Sequence, residues 1–366
     1  MRRKFSLGVY SLVIFWLLVA VGFMHVSPAT FWPAAFISLT LPGALVLNIL
    51  FLLIWLLRRS FKALLPLVVL VVGWSYYSRG LALNLGQPNE SLEVEPRTLQ
   101  ILSYNVRIFN TYAHLQDKGQ ASSKKMIKYV ATHPADIFCL QEFYNDKNSK
   151  VFNAVSKIGR QKQKYYFVSE GLVNGIGAQF GLAIFSRYPI VNKGSIFFQK
   201  QTNNHGMFAD IKLKEDTVRV YNFHFQSMSI DEKDIVDTYK DQVNFKTEGR
   251  KLLRLFKNGV VKRADQVDSL LTHVNKSPYP VVLCGDINDL PYSYTYERLS
   301  KNRTNAFQAK GLGIGATYNG KLPFVRIDNQ FCSPELKVLQ YARHDSITYS
   351  DHFPTTAIYK LTRTRK

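Results

Sequence analysis

Val281-Val282-Leu283-Cys284-Gly285-Asp286-Ile287-Asn288-Asp289 decides how the rest of the chain is read. Its four leading apolar residues are too few and too β-branched for a helix, so they predict a buried strand. Gly285 is expected to end the strand, where the backbone must turn or approach something closely. Asp286 and Asn288 are two residues apart, which in an extended chain puts both side chains on one face. An anion and a carboxamide at the mouth of a buried strand are costly unless they bind something. A strand ending in Gly-Asp is often only a turn. Its weight comes from four other polar clusters, each at the end of an apolar run.

Working outward, Thr98 to Ser103 reads as a strand closed by Tyr104-Asn105-Val106-Arg107. Gln120 to His133 reads as a helix ended by Pro134. Asp136 to Leu140 is a second buried strand, delivering Gln141-Glu142. Tyr165 to Ser169 and Gly181 to Ser186 read as strands, and the glycines at 171, 175 and 177 lack phosphate-binding spacing. Val218 to Phe225 alternates and ends in Asn222-Phe223-His224-Phe225, with Asn222 and His224 on one face. Asp231 to Lys276 is helical and basic, either a solvated surface or a phosphate- or membrane-facing one. Arg326-Ile327-Asp328 and Tyr349-Ser350-Asp351-His352 complete the set, the latter before a last strand at Thr356 to Leu361. Each residue also has a bland reading. Asn105 is a turn residue, Glu142 a solvated acid, His224 a structural histidine, and Asp328 a partner of Arg326. Strands alternating with helices and with each other suggest two sheets covered by helices.

Net charge is +21 over 366 residues. Residues 1–90 hold seven basic residues and one acid, and 91–366 hold 40 and 25. So basic a domain favours an anionic partner: nucleic acid, a phosphate ester or an acidic membrane surface. Three cysteines, Cys139, Cys284 and Cys332, are no disulfide framework, and no zinc-ligand spacing is present. Cys139 and Cys284 sit inside apolar runs and read as buried free thiols.

The first 86 residues predict a membrane anchor with about three transmembrane helices, at 5–26, 31–57 and 62–78. The third run is the weakest, and a cleaved signal peptide is the rival reading of the first. Basic residues cluster before the first run and between the second and third, while the loop between the first two is uncharged. That bias predicts a multi-pass protein of the cytoplasmic (inner) membrane, with the large domain on the periplasmic or extracellular side. If the third run does not cross, the domain faces the cytoplasm instead. Residues 87–97, polar with two prolines, predict a linker, and 98–366 one catalytic domain.

The strand-end polar groups are then Asn105, Glu142, His224, Asp286, Asn288, Asp328, Asp351 and His352. Carboxylate and amide oxygens suit Mg²⁺ or Mn²⁺ rather than zinc. Two histidines beside acids can move protons near neutral pH. A cation, acids and histidines together are what phosphate-ester hydrolysis needs.

These motifs, in this order, resemble the endonuclease/exonuclease/phosphatase superfamily, whose members include deoxyribonuclease-I-like and sphingomyelinase-like metal-dependent phosphoesterases. The resemblance covers roughly residues 98–362. It implies a four-layered α/β sandwich of two packed β-sheets flanked by helices, with the site at one edge. It also implies roles. Asn105, Glu142 and Asp351 resemble metal-site residues, with Glu142 the principal ligand. Asp286 resembles the residue that orients or deprotonates the attacking water, and Asn288 its phosphate-binding neighbour. His352 resembles the histidine that contacts the scissile phosphate, oriented by Asp328, and His224 the one on the leaving-group side. Abasic-site endonucleases usually carry a glycine where this chain has Arg107-Ile108-Phe109, and they lack a histidine at the place of His224. The Asn-Phe-His-Phe form is nearer to the deoxyribonuclease I and phosphodiesterase branches. Glu170 is the one candidate carboxylate for orienting His224. The expected activity is hydrolysis of an anionic phosphate ester: nucleic acid, a phospholipid head group or a small ester. The alternative is a catalytically silent domain of the same fold that binds a polyanion or partner. The sequence identifies no protein partner.

Overall fold

The computed structural model describes residues 2–84, 97–115, 119–169, 171–199, 202, 204–228, 245–320, 322 and 324–362. The expected linker apart from Arg97, Glu170 and the first part of the basic helical stretch lie outside these residues.

The chain begins with α1 (Arg2–Met24), α2 (Pro33–Leu39), α3 (Leu41–Leu57), α4 (Leu64–Val72) and α5 (Trp74–Gly80). Ser6–Met24 and Pro33–Leu57 are long and apolar enough to cross a membrane. The third run, expected as one span over 62–78, is broken. Phe61–Val72 and Trp74–Gly80 meet at 70°. Gly73 lets the chain kink there, since a Cβ on it would lie 2.8 Å from the Val69 carbonyl. Three spans result only if this bent pair crosses as one. Asn48, polar in an apolar helix, is satisfied inside the bundle. It accepts from Tyr10 Oη at 2.8 Å and donates to Tyr77 Oη at 2.8 Å and the Pro66 carbonyl at 3.1 Å.

The remaining chain supplies β1 (Ala82–Leu83), β2 (Thr98–Asn105), α6 (Ala121–Thr132), β3 (Ile137–Asn145), β4 (Tyr165–Val168), β5 (Leu172–Val173), β6 (Gln179–Ser186), β7 (Ile190–Phe197), β8 (His205–Leu213) and β9 (Asp216–His224). These are followed by α7 (Phe245–Val274), β10 (Val281–Asp286), α8 (Tyr294–Ser300), β11 (Thr304–Asn305), α9 (Ala306–Lys310), β12 (Leu312–Gly313), β13 (Asp328–Cys332), β14 (Leu336–Arg343) and β15 (Thr355–Leu361). One sheet runs β14-β15-β2-β3-β6-β4, with β5 beside β6. The other runs β11-β13-β10-β9-β8-β7.

The inner faces of both sheets share one apolar core. Ile101, Ile137 and Ile184 come from the first sheet, and Ala209, Val220 and Val282 from the second. Helix α6 covers the outer face of the first with Met126, Ile127 and Val130. Helix α7 covers the outer face of the second with Val267, Leu270 and Val274. The result is the expected four-layered α/β sandwich. Periodicity explains the layering: strands alternate between core and helix, and each helix turns one apolar stripe inward.

Gly285 does not end its strand. It lies inside β10, where a Cβ would stand 2.3 Å from the Phe223 carbonyl, so its role is close approach rather than turning. All three cysteines are buried and unpaired in the inter-sheet core. A thiol label applied under denaturation, without reductant, should therefore count three free thiols by intact mass. A count of one would reveal a disulfide.

Candidate active site

Sheet direction brings the polar strand ends to one edge. Parallel β2 and β3 set Asn105 opposite Gln141. Parallel β9 and β10 set His224 opposite Asp286. Strand β13 is antiparallel to β10, so its first residue, Asp328, pairs with Asp286. The loop before β15 supplies Asp351 and His352.

Asp286 sits at the centre, 1% exposed. Its Oδ1 accepts the Asn288 backbone N–H at 2.8 Å and its Oδ2 accepts Asn105 Nδ2 at 3.1 Å. His224 Nε2 and His352 Nε2 lie 3.6 and 3.8 Å from that same Oδ2. Burial and then the neighbouring Asp328 push the Asp286 carboxyl up to about 6, against the opposing pull of His352 and His224. His352 Nδ1 contacts Asp328 Oδ2 at 2.9 Å. Burial alone would lower this imidazole, but Asp328, Asp286 and Asp351 together raise it to about 10. Arg326, the other partner considered for Asp328, instead donates to the Arg79 carbonyl and to Asn305 Oδ1.

Asn105 Nδ2 also donates to Glu142 Oε1 at 3.1 Å, and His224 Nε2 stands 3.6 Å from that oxygen. Asn288 Nδ2 lies 3.1 Å from His224 Nε2 and donates to the Phe225 carbonyl. Glu142 and Asn288 both have left-handed backbones, with φ of 48° and 49°. Glu142 sits in a bulge between Leu140 and Phe143, so β3 continues past it and aims it at the edge. Asp351 joins less directly. Arg107 donates its backbone N–H to Asn105 Oδ1 and places its Nε 3.3 Å from Asp351 Oδ2.

Two groups of residues could hold a cation. Asp286, Asp328 and His352 have donor atoms within 4.8 Å of one another. A metal ligand must be a neutral imidazole, however, and this one is biased toward its protonated form. On the other side the Glu142 and Asp351 carboxylates are open to solvent, 34% and 27% exposed at their side chains, while Asn105 turns Nδ2 toward Glu142 and its oxygen toward the Arg107 N–H. The carboxylate oxygens of Glu142 and Asp351 suit a hard cation such as Mg²⁺.

Several residues at this edge went unassigned in the sequence. Gln141 Nε2 donates across the sheets to Asn222 Oδ1 at 2.6 Å, and Asn222 Nδ2 donates to the Leu140 and Ala183 carbonyls. This buried bridge pins the two sheets where the site forms. Ser350 Oγ donates to the Asn105 carbonyl at 2.9 Å, tying the Asp351-His352 loop to β2. Their sequence signal was position: Gln141 and Ser350 adjoin Glu142 and Asp351, and Asn222 shares a strand face with His224.

The chain belongs to the endonuclease/exonuclease/phosphatase family, whose model matches residues 102–352. A second model, described as a domain of unknown function, matches residues 3–80. No curated protein matches. Among solved structures, an endonuclease/exonuclease/phosphatase from Beutenbergia cavernae is similar at 15% identity, with 72% of each chain covered and a TM-score of 0.52. One from Bacteroides vulgatus is similar at 15% identity, covering 72% of this chain and 99% of that one, with a TM-score of 0.51. A mannosyl-6-phosphatase from Bacteroides thetaiotaomicron is similar at 17% identity, covering 71% and 99%, with a TM-score of 0.50. At these identities the likeness is one of fold.

Proposed function

We propose that this chain is a membrane-anchored, divalent-metal-dependent phosphoesterase that hydrolyses a phosphate ester by attack of water. The observation that supports it most is the buried Asp286 ringed by Asn105, His224, Asn288 and the Asp328–His352 pair. In this reading Asp286, its carboxyl near 6, takes a proton from the attacking water at neutral pH. His352 stays protonated. Asp328 holds its Nδ1, so Nε2 is left to donate to a phosphate oxygen as charge builds there. His224 faces the leaving oxygen, and the Asn288 amide, 3.1 Å from its Nε2, contacts the phosphate. Glu142, Asn105 and Asp351 would hold Mg²⁺ or Mn²⁺, which when bound neutralises the phosphate charge.

The full chain in detergent should hydrolyse a generic bis-aryl phosphodiester with Mg²⁺ or Mn²⁺ and stop with a chelator. Polyanion binding without turnover under any divalent cation would favour the silent alternative.

We also propose that the anchor crosses the cytoplasmic membrane more than once and leaves the catalytic domain outside the cytoplasm. Basic residues begin α1 and follow α3 at one end. The catalytic domain touches the opposite end, where His25 lies 3.9 Å from Glu297 and Phe36 stacks on Phe256. A reporter active only in the periplasm, fused after Gln87, should be active. Silence there together with an active cytoplasmic reporter would reverse the orientation.

A further inference from the structure

The N-terminal helices pack against the edge of the sandwich that carries the site. Tyr292 is buried among Ala20, Met24, Leu41, Leu45 and Tyr77. It follows Asn288 by four residues, so at most about 14 Å of chain separates them. Arg326, two residues before Asp328, donates to the carbonyl of Arg79. Met228, four residues past His224, packs with Ala35 and Leu39 of the anchor and with Phe256 and Val260. Three of the segments that supply the site thus run straight into the anchor.

Beside this junction lies a cavity of about 380 Å³, in the size range of small-molecule sites. Ile49 and Leu52 of α3, Leu70 of α4 and Trp74 of α5 line it, with Leu83 of β1 and Tyr292 beyond the helices. Leu70 before the 70° bend and Trp74 after it both line this space. Two buried cations lie near Tyr292 without lining this space. Arg79 pairs with Glu297 at 2.6 Å, yet its Nη1 has no hydrogen-bond partner. Arg326 Nε is likewise buried and unpartnered. Both guanidiniums lie over aromatic rings, Arg79 over Tyr76 and Tyr296 and Arg326 over Tyr296 and Phe307.

We propose that this cavity receives the aliphatic chain of a membrane lipid, and that the phosphate ester on that lipid is the substrate of the Asp286 site. The assignment rests on the phosphoesterase reading. An apolar space walled by helices of membrane-spanning character is filled from the hydrocarbon of the bilayer. The short Asn288–Tyr292 stretch holds the head group close to the site. A nucleic acid has no chain to place there.

The test uses the full chain in phosphatidylcholine vesicles and two esters with the same reacting centre: hexadecyl 4-nitrophenyl phosphate and ethyl 4-nitrophenyl phosphate. In both, water attacks phosphorus, the bond from phosphorus to the aryl oxygen breaks, and nitrophenolate leaves. The hexadecyl ester should be turned over roughly 100-fold faster at equal total concentration, partly because the bilayer concentrates it. Ile49→Trp, which fills the cavity, should remove at least about tenfold of that advantage and leave the ethyl ester unchanged. A hexadecyl probe with a terminal diazirine should label α3 in the unaltered chain, a readout independent of turnover and of how the variant folds. Equal rates on both esters, no label and no effect of Ile49→Trp would overturn the proposal while leaving the phosphoesterase reading intact. So would a preference for plasmid DNA over the hexadecyl ester. Labelling without turnover of either ester would overturn the phosphoesterase reading, and with it the substrate assignment.

Discussion

Asp328→Asn should lower kcat by about 10²–10⁴ and leave KM within a few-fold. The two residues are 24 positions apart, yet His352 Nδ1 and Asp328 Oδ2 stand 2.9 Å apart, both nearly fully buried. The substitution keeps the shape and removes the charge that holds the imidazole protonated. Burial alone pushes this imidazole down, and Asp328 is the largest opposing influence. The pH profile should show it. A histidine raised to about 10 keeps its proton below that pH, so wild-type activity should decline only as pH climbs toward 10. In Asp328→Asn the declining limb should move to lower pH, because burial then dominates. His352→Ala should be about as damaging, and the double variant barely worse than either, since the pair acts as one unit. If Asp328 only held a loop, its substitution would lower the melting temperature and spare kcat. Multiplicative losses in the double-variant cycle, or an unmoved pH limb, would sink the paired mechanism.

The sandwich was legible because its signal is local. Val281-Val282-Leu283-Cys284 and Asp136 to Leu140 are short apolar runs that can be buried only in a sheet, and α6 and α7 carry apolar stripes at helical spacing. Strands such as β7 were harder. Its edge position leaves Val191, Asn192 and Lys193 exposed, so its alternation is weak. The polar residues of the site were legible as residues because each ends an apolar run. Their pairing was not, since Asp286 and Asp328 meet through antiparallel register that no spacing encodes. The break at Gly73 was missed for a related reason. A single glycine within an apolar run is ordinary in a membrane helix, and only the close Val69 carbonyl reveals the kink. Docking of the N-terminal helices on Tyr292, Arg326 and Phe256 is likewise tertiary: an aromatic or arginine in a basic domain looks the same whether it meets water or another helix.

Glu142→Gln should raise the Mg²⁺ concentration for half-maximal activity by roughly 10–100-fold. The variant keeps an oxygen that can accept from Asn105 Nδ2, so the local frame should persist. What disappears is one negative charge at the open side of the site, facing His224 at 3.6 Å and close to the buried Asp286 through their shared partner Asn105. Two carboxylates bridged by one amide repel each other unless a cation lies between them. Without divalent cation, the variant should therefore melt no lower than the wild type. With saturating Mg²⁺, the wild type should gain stability as any protein does on binding a ligand in its folded state, and the variant should gain less. A purely structural Glu142 gives the opposite pattern: the melting temperature falls with or without Mg²⁺, and the Mg²⁺ midpoint stays put. The left-handed backbone at Glu142 sharpens the contrast. Its conformation costs energy that a solvated surface acid has no reason to bear, whereas a ligand aimed at a cation does. An unchanged midpoint for both activity and thermal response would show that Glu142 holds no metal.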